Sequence, residues 1–235
     1  MFDRAAGPRE HAVVIGASLA GLFAARVLSD HFHRVTLLER DPVHDRPESR
    51  KGQPQTRHLH GLLAHGKNLI DHFFPGIEKS LVQGGAIVAD MGAALRWFHF
   101  GDYRIQFDSG LRGMLMSRPF LEWHIRRRVL ERPNVTLMDR CVAEGLSATD
   151  DRARVTGVTV TDRLSDGRTT TMLADLTIDA CGRGSPSPRW LGDLGYDPPR
   201  EEEVTIRVGY ATRLYRRRPD DLDGAEVVMI LSTPP

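Results

Sequence analysis

The apolar positions of the chain cluster at its start in three blocks. His11 to Ile15 (HAVVI) is a short run that ends in Gly16 and reads as a buried strand. Leu19 to Leu28 (LAGLFAARVL) is apolar and alanine-rich and reads as a buried helix. Arg34 to Glu39 (RVTLLE) reads as a second buried strand, closed by Asp41-Pro42. Strand, tight turn, helix and strand fit within about 30 residues, the size of one βαβ unit.

Further along, the pattern loosens. Asp41 to His60 is rich in Pro, Arg, Gln and His and reads as a loop. Leu59 to Phe74 has helical apolar spacing and stops at Pro75-Gly76. Ile77 to Phe107 reads as a short helix followed by strands, with Trp97, Phe98, Phe100, Tyr103, Ile105 and Phe107 supplying β-favouring bulk. Ser117 is placed to cap a helix to about Glu131, with Pro119 in its first turn and Leu121, Ile125 and Val129 on its inner stripe. After a strand at Asn134–Met138, the segments Val142–Thr149, Ala153–Asp162 and Thr169–Ala174 read as an antiparallel meander turning at Ser165-Asp166-Gly167. Asp175 to Ala180 is another buried strand, leading into Gly182-Arg183-Gly184-Ser185. Glu201–Tyr215 and Ala225–Leu231 read as further strands around a basic turn.

Composition removes several classes. Lys+Arg is 32 against 31 Asp+Glu, a net charge of +1, so no global field points to nucleic acid or an anionic membrane. No run approaches the 18–20 apolar residues of a membrane span, and the first ten residues lack a signal-peptide core. Cys141 and Cys181 have no CxxC or metal-ligand spacing. They read as small buried residues in a reduced, cytoplasmic setting. His58, His60 and His65 lack the further ligands a metal needs, and read as part of a loop. Arg126 to Arg128 reads as the solvated face of its helix, and Arg216 to Arg218 as a turn.

The chemistry lies in Gly16-Ala17-Ser18-Leu19-Ala20-Gly21, a GxGxxG pattern with Ser18 at the second glycine. It follows a strand and opens a helix, the context a dinucleotide turn requires. Gly16 permits the sharp turn. Small Ser18 lets backbone amides approach a pyrophosphate, and Gly21 lets the helix pack against the strands. The helix N-terminus then offers amides and partial positive charge to the anion. Glu39, 18 positions beyond Gly21, stands where an acid accepts hydrogen bonds from a ribose diol. A carboxylate there repels a 2′-phosphate, so the site prefers FAD or NAD over NADP. The alternative is a glycine turn in another α/β fold with Glu39 merely exposed. Arg40 reads equally as a contact to a cofactor ring or as a solvated cation. Arg118, at a helix start where a cation is unfavourable, reads as an anion contact or a surface residue.

Three stretches resemble the group A flavoprotein monooxygenases, the p-hydroxybenzoate hydroxylase-like family of FAD-dependent oxidoreductases. They are VVIGASLAGLFAARVL with LLER after it, Ser117-Arg118-Pro119-Phe120-Leu121, and Asp179-Ala180-Cys181-Gly182-Arg183-Gly184-Ser185 with Arg189 beyond. The last is similar to the family's Asp-Gly motif, with Cys181 where a threonine or small residue is usual. Arg50 to His60 resembles the loop that approaches the flavin. The resemblance implies an α/β fold: a Rossmann-like FAD-binding domain of βαβ unit plus β-meander, with part of a mixed-sheet substrate domain. It assigns 1–70 and 111–195 to the FAD domain, and 71–110 and 196–235 to the substrate domain. It implies FAD contacts at Gly16, Ala17, Ser18, Ala20, Gly21, Glu39, Arg40, Arg118, Val142, Asp179 and Gly182. NAD(P)H would be the reductant and O2 the co-substrate, with oxygen passed to a small organic, apolar substrate. The cofactor carries the chemistry and the protein positions and shields it.

No later Gly-Asp motif of this family is present, since Gly101-Asp102 and Gly192-Asp193 lack its sequel. The chain therefore reads as an N-terminal portion. Two other readings stay open: a non-catalytic truncated product with a partial FAD site, and an NAD-binding dehydrogenase. The meander after Val142 argues against the dehydrogenase. No catalytic acid or base, and no oligomeric state, is set apart by the sequence.

Overall fold

The computed structural model describes residues 9–50, 52–58, 60–165, 167–218 and 220–231. In chain order the elements are β1 (Arg9–Ile15), α1 (Leu19–Leu28), β2 (Phe32–Leu38), β3 (Gly61–Leu62), α2 (Ala64–Phe73), α3 (Ile77–Gln83), β4 (Ile87–Asp90), β5 (Leu95–His99), β6 (Asp102–Tyr103), β7 (Arg112–Leu115), α4 (Arg118–Leu130), β8 (Val135–Met138), β9 (Cys141–Ala148), β10 (Val155–Asp162), β11 (Arg168–Leu173), β12 (Leu176–Asp179), α5 (Ser187–Asp193) and β13 (Val227–Ile230). They fall into two compact units, 1–53 with 125–207 and 54–124 with 208–235. The division falls within α4.

The first unit is built on a parallel sheet of order β12-β1-β2-β8. Its strands are short and apolar because both faces are covered. Ala12, Val13, Val14, Val35 and Leu37 are wholly buried. Helix α1 packs against β1, β2 and β12 through Gly21, Leu22, Ala25 and Leu28. The antiparallel meander β11-β10-β9 supplies Val158, Val160 and Cys141 to a shared core with Val13, Ile15, Leu38, Ala174 and Trp190. Each fully buried aliphatic side chain contributes about 1.5–3 kcal/mol by leaving water. The meander and the βαβ unit thus stand where the sequence pattern puts them. Asp166 of the predicted turn lies outside the described residues, while Gly167 adopts φ +70° there.

His11 ties three strands together. Its Nε2 is 2.9 Å from Thr36 Oγ1 on β2 and its Nδ1 is 2.7 Å from the Leu173 carbonyl at the end of β11. Burial pushes the imidazole below its ordinary range, and the nearby Arg34 guanidinium adds to this, against the Leu173 carbonyl and the Asp175 carboxylate. The unfolded chain therefore binds the proton more readily than the folded one. The His11 contribution is full above the unfolded value near 6.5, and stability falls as pH drops through and below it. Urea unfolding of the wild type and of His11→Gln at neutral and mildly acidic pH checks this. The wild type is expected to lose more stability on acidification; equal losses would contradict it.

The second unit holds two three-stranded sheets, β3-β7-β4 and β13-β5-β6. Ile70, Phe74, Ile77, Leu81, Ala89 and Met114 are among its buried apolar residues around α2, α3 and the first of these sheets. Several sequence expectations change here and nearby. Helix α2 starts at Ala64, not near Leu59, because Gly61–Leu62 pairs with Leu115 and Met114 as a strand; Leu59 lies outside the described residues. Glu201–Tyr215 forms no strand. Its alternating Val204, Ile206, Val208 and Tyr210 are exposed, since no described strand offers them a ladder. Only the second tail strand, β13, forms, parallel to β5. Helix α4 begins after Ser117, whose Oγ accepts the Phe120 amide at 3.3 Å, and buries Leu121, Ile125 and Val129 as the pattern requires. Arg126 is not solvated: it is 6% exposed and donates to the His44 carbonyl at 2.7 Å. Cys141 is buried, but Cys181 is exposed, because it stands in the loop after β12 rather than within the sheet.

Candidate dinucleotide site

Three parallel strands end side by side. The chain leaves β1 for β2 on one flank, and β12 is added on the other, with Ile15 in register with both Leu38 and Asp179. Such a reversal of strand order opens a crevice at the carboxyl ends, where ligands of open α/β sheets bind. Gly16, Glu39 and Cys181-Gly182 occupy its rim.

Gly16 has φ +100°, and a Cβ there would lie 2.8 Å from the Ala180 carbonyl oxygen. A Cβ at Gly21 would lie 1.8 Å from the Gly16 carbonyl oxygen. Neither position admits a side chain, so the turn brings helix α1 directly against the strand ends. The first intrahelical bond is Leu22 N–H to the Ser18 carbonyl, 2.9 Å. The amides of Leu19, Ala20 and Gly21 precede it, and no acidic side chain stands in the first turn. That end of α1 can receive a diphosphate on amides and helix dipole. The residues present therefore fit an adenine dinucleotide: the turn is bare where the backbone must approach, and the acid follows the second strand.

Glu39 is 9% exposed, not a surface residue. Its Oε2 accepts the Ala17 amide at 3.2 Å, and its Oε1 accepts the Asp41 amide at 3.1 Å. Arg50 Nη1 donates to Oε2 at 2.8 Å, and Nη2 donates to the Ala17 carbonyl at 3.0 Å. The spacing of the apolar blocks gave no sign of Arg50 as the partner of Glu39; it sits in a polar loop with no periodicity. Arg40, next to Glu39, is largely exposed and 3.8 Å from Asp41 Oδ2. The Glu39 carbonyl accepts the Cys141 amide at 2.9 Å, which sets Val142, the next residue of β9, beside the end of β2.

Across the crevice, Asp179 ends β12. Burial pushes its carboxyl up, but the Ser185 and Ser187 hydroxyls and the Cys181 amide donate to it and hold it below the ordinary carboxylate range. Asp179 thereby shapes the loop in which Gly182 takes φ +72°. Desolvation of the sulfur and the Asp179 carboxylate push the Cys181 thiol up to about 12. A thiol raised in this way is held in its protonated form at neutral pH. Arg118 belongs to the second unit, where its Nε is buried with no hydrogen-bond partner among the described residues. No group of three or more His, Cys, Asp or Glu that could hold a metal occurs among the described residues. No helix of the described residues is long and apolar enough to cross a membrane.

No family model matches the chain. Protein Rv3254 of Mycobacterium tuberculosis is 40% identical over 241 residues, covering 97% of this chain and 49% of its own length. The chain thus spans about half of that relative. PqsL, a probable FAD-dependent monooxygenase from Pseudomonas aeruginosa, superposes with a TM-score of 0.58 at 19% identity, over 83% of this chain and 48% of PqsL. The flavin-dependent monooxygenase PieE, solved with FAD and substrate, gives 0.55 at 20% identity, over 79% of this chain and 33% of PieE. The chain has the fold of the FAD-dependent monooxygenases, over a part of their length. It is the α/β architecture that the glycine turn and meander predict.

Proposed function

We propose that this chain is the FAD-binding N-terminal portion of a monooxygenase that uses NAD(P)H and O2 to oxidise a small organic, apolar substrate. The observation that carries the reading is the bare glycine turn at the carboxyl end of β1, faced by the Glu39 carboxylate. FAD, when bound, supplies the redox chemistry. The chain's own residues bind and orient it. Leu19, Ala20 and Gly21 amides take the diphosphate, with Gly16, Ala17 and Ser18 forming the turn beneath, and Glu39 takes the adenosine ribose. Val142, Arg40, Arg118, Asp179 and Gly182 are proposed as further contacts.

Under this reading, 1–70 and 111–195 serve the cofactor, while 71–110 and 196–235 contribute to a substrate sheet. The likeness to PqsL and PieE supports the monooxygenase class. PqsL has been solved in complex with 2-aminobenzoylacetate, which supports a small organic substrate. Two free cysteines fit a reducing, cytoplasmic setting.

The test is reconstitution. The purified chain, and a form carrying the further sequence that its longer relative has, are mixed with FAD, desalted and assayed for flavin. NADH and NADPH oxidation is then followed in air. Retained yellow flavin with oxygen-dependent oxidation of either nucleotide is the expected result. Failure of both forms to hold flavin or oxidise NAD(P)H would end the proposal.

A further inference from the structure

We propose that Arg50 is a positioning residue of the dinucleotide site: its guanidinium fastens the Glu39 carboxylate to the glycine turn and leaves one lone pair of Oε1 for the ribose. The inference rests on the dinucleotide reading above and goes beyond it, since the geometry singles out Arg50 for how it holds Glu39. A carboxylate has about four lone-pair positions. On Glu39, Oε2 is filled by the Ala17 amide and Arg50 Nη1, while Oε1 carries the Asp41 amide. The remaining position is on Oε1. Arg50 uses its second nitrogen on the Ala17 carbonyl, so one side chain grips both the ribose acid and the phosphate turn. The side chains are 8% and 11% exposed, which removes the pair from most solvent competition. A lysine ammonium, a point charge without the planar fork, cannot hold both acceptors in this geometry.

The role predicts a particular signature. Holding Glu39 in register acts on the 2′-hydroxyl of the sugar, while the bond to the Ala17 carbonyl acts on the diphosphate that ADP and 2′-deoxy-ADP share and so cancels from their ratio. The experiment measures dissociation constants of ADP and of 2′-deoxy-ADP for the wild type, Arg50→Lys and Arg50→Gln, with thermal melts recorded for each. The wild type is expected to favour ADP by about tenfold or more, the worth of one hydrogen bond to a charged group. Both variants are expected to lose that preference to within about threefold, whatever change in affinity the two nucleotides share. Adding Glu39→Ala to Arg50→Gln should then cost no further discrimination. If Arg50→Gln does not fold, the Arg50→Lys ratio alone decides. An unchanged preference with both nucleotides weakened together would overturn the proposal and leave Arg50 a structural residue. Tighter binding of both nucleotides would overturn it too, making Arg50 a plug in the crevice. Either result leaves the dinucleotide site standing. A wild type that binds neither FAD nor ADP removes that site, and this role with it.

Discussion

Replacing Gly21 by alanine is expected to abolish FAD retention and to lower the melting temperature by roughly 6–12 °C, the equivalent of about 3 kcal/mol in a chain of this size. The added methyl would stand 1.8 Å from the Gly16 carbonyl oxygen, and the obstacle is backbone, which cannot rotate away as a flexible side chain can. Helix α1 must therefore lift from β1. Lifting it opens the contacts of Leu22 and Ala25, both wholly buried, and withdraws the helix end from the diphosphate. Gly66→Ala serves as the control. Its nearest neighbour is Leu62 Cδ1 at 3.0 Å, the end of a flexible side chain that can give. Differential scanning fluorimetry and flavin retention after desalting measure both effects. A Gly21→Ala protein that melts normally and keeps FAD would show that the turn is looser than the structure has it.

The second large effect is expected at Glu39. Glu39→Ala removes the carboxylate that faces the buried Arg50 guanidinium, and breaking a buried pair from one side costs about 3–5 kcal/mol. It also removes the acceptor for the ribose, worth roughly ten- to a hundredfold in FAD affinity for a hydrogen bond to a charged group. Glu39→Gln separates the two consequences. It keeps the shape and one acceptor oxygen, so its stability loss should be smaller, while the affinity loss should persist. Chemical denaturation with and without FAD checks both. Wild-type affinity in Glu39→Ala would remove Glu39 from the site.

These two residues were legible in the sequence because their signals are local. A strand, a glycine turn, a helix and an acid at the end of the next strand lie within one βαβ unit, and each step is forced by short-range geometry. The meander was legible for the same reason, from alternation punctuated by turn residues. What escaped was long-range. The resemblance brings the Arg50–His60 loop toward the cofactor, but nothing in that polar loop marks Arg50 as the partner of Glu39. Arg126, in a run of three arginines, reads as solvated until the His44 carbonyl is found beside it. Glu122 is 3% exposed on the same helix, again without any pattern to mark it. The opposite failure occurred at Val204–Tyr210. There the alternation is that of a strand, but a strand exists only where another ladder is present to pair with it.

On the proposed reading, the turn at Gly16–Gly21 receives the diphosphate of FAD while Glu39 receives the adjoining sugar. A crystal structure of the chain grown with FAD tests it most directly. Diphosphate oxygens are expected within hydrogen-bond distance of the Leu19–Gly21 amides, with a ribose hydroxyl on Glu39 Oε1. Flavin density elsewhere on the protein, or a fully liganded FAD with Glu39 turned away from its ribose, would contradict it.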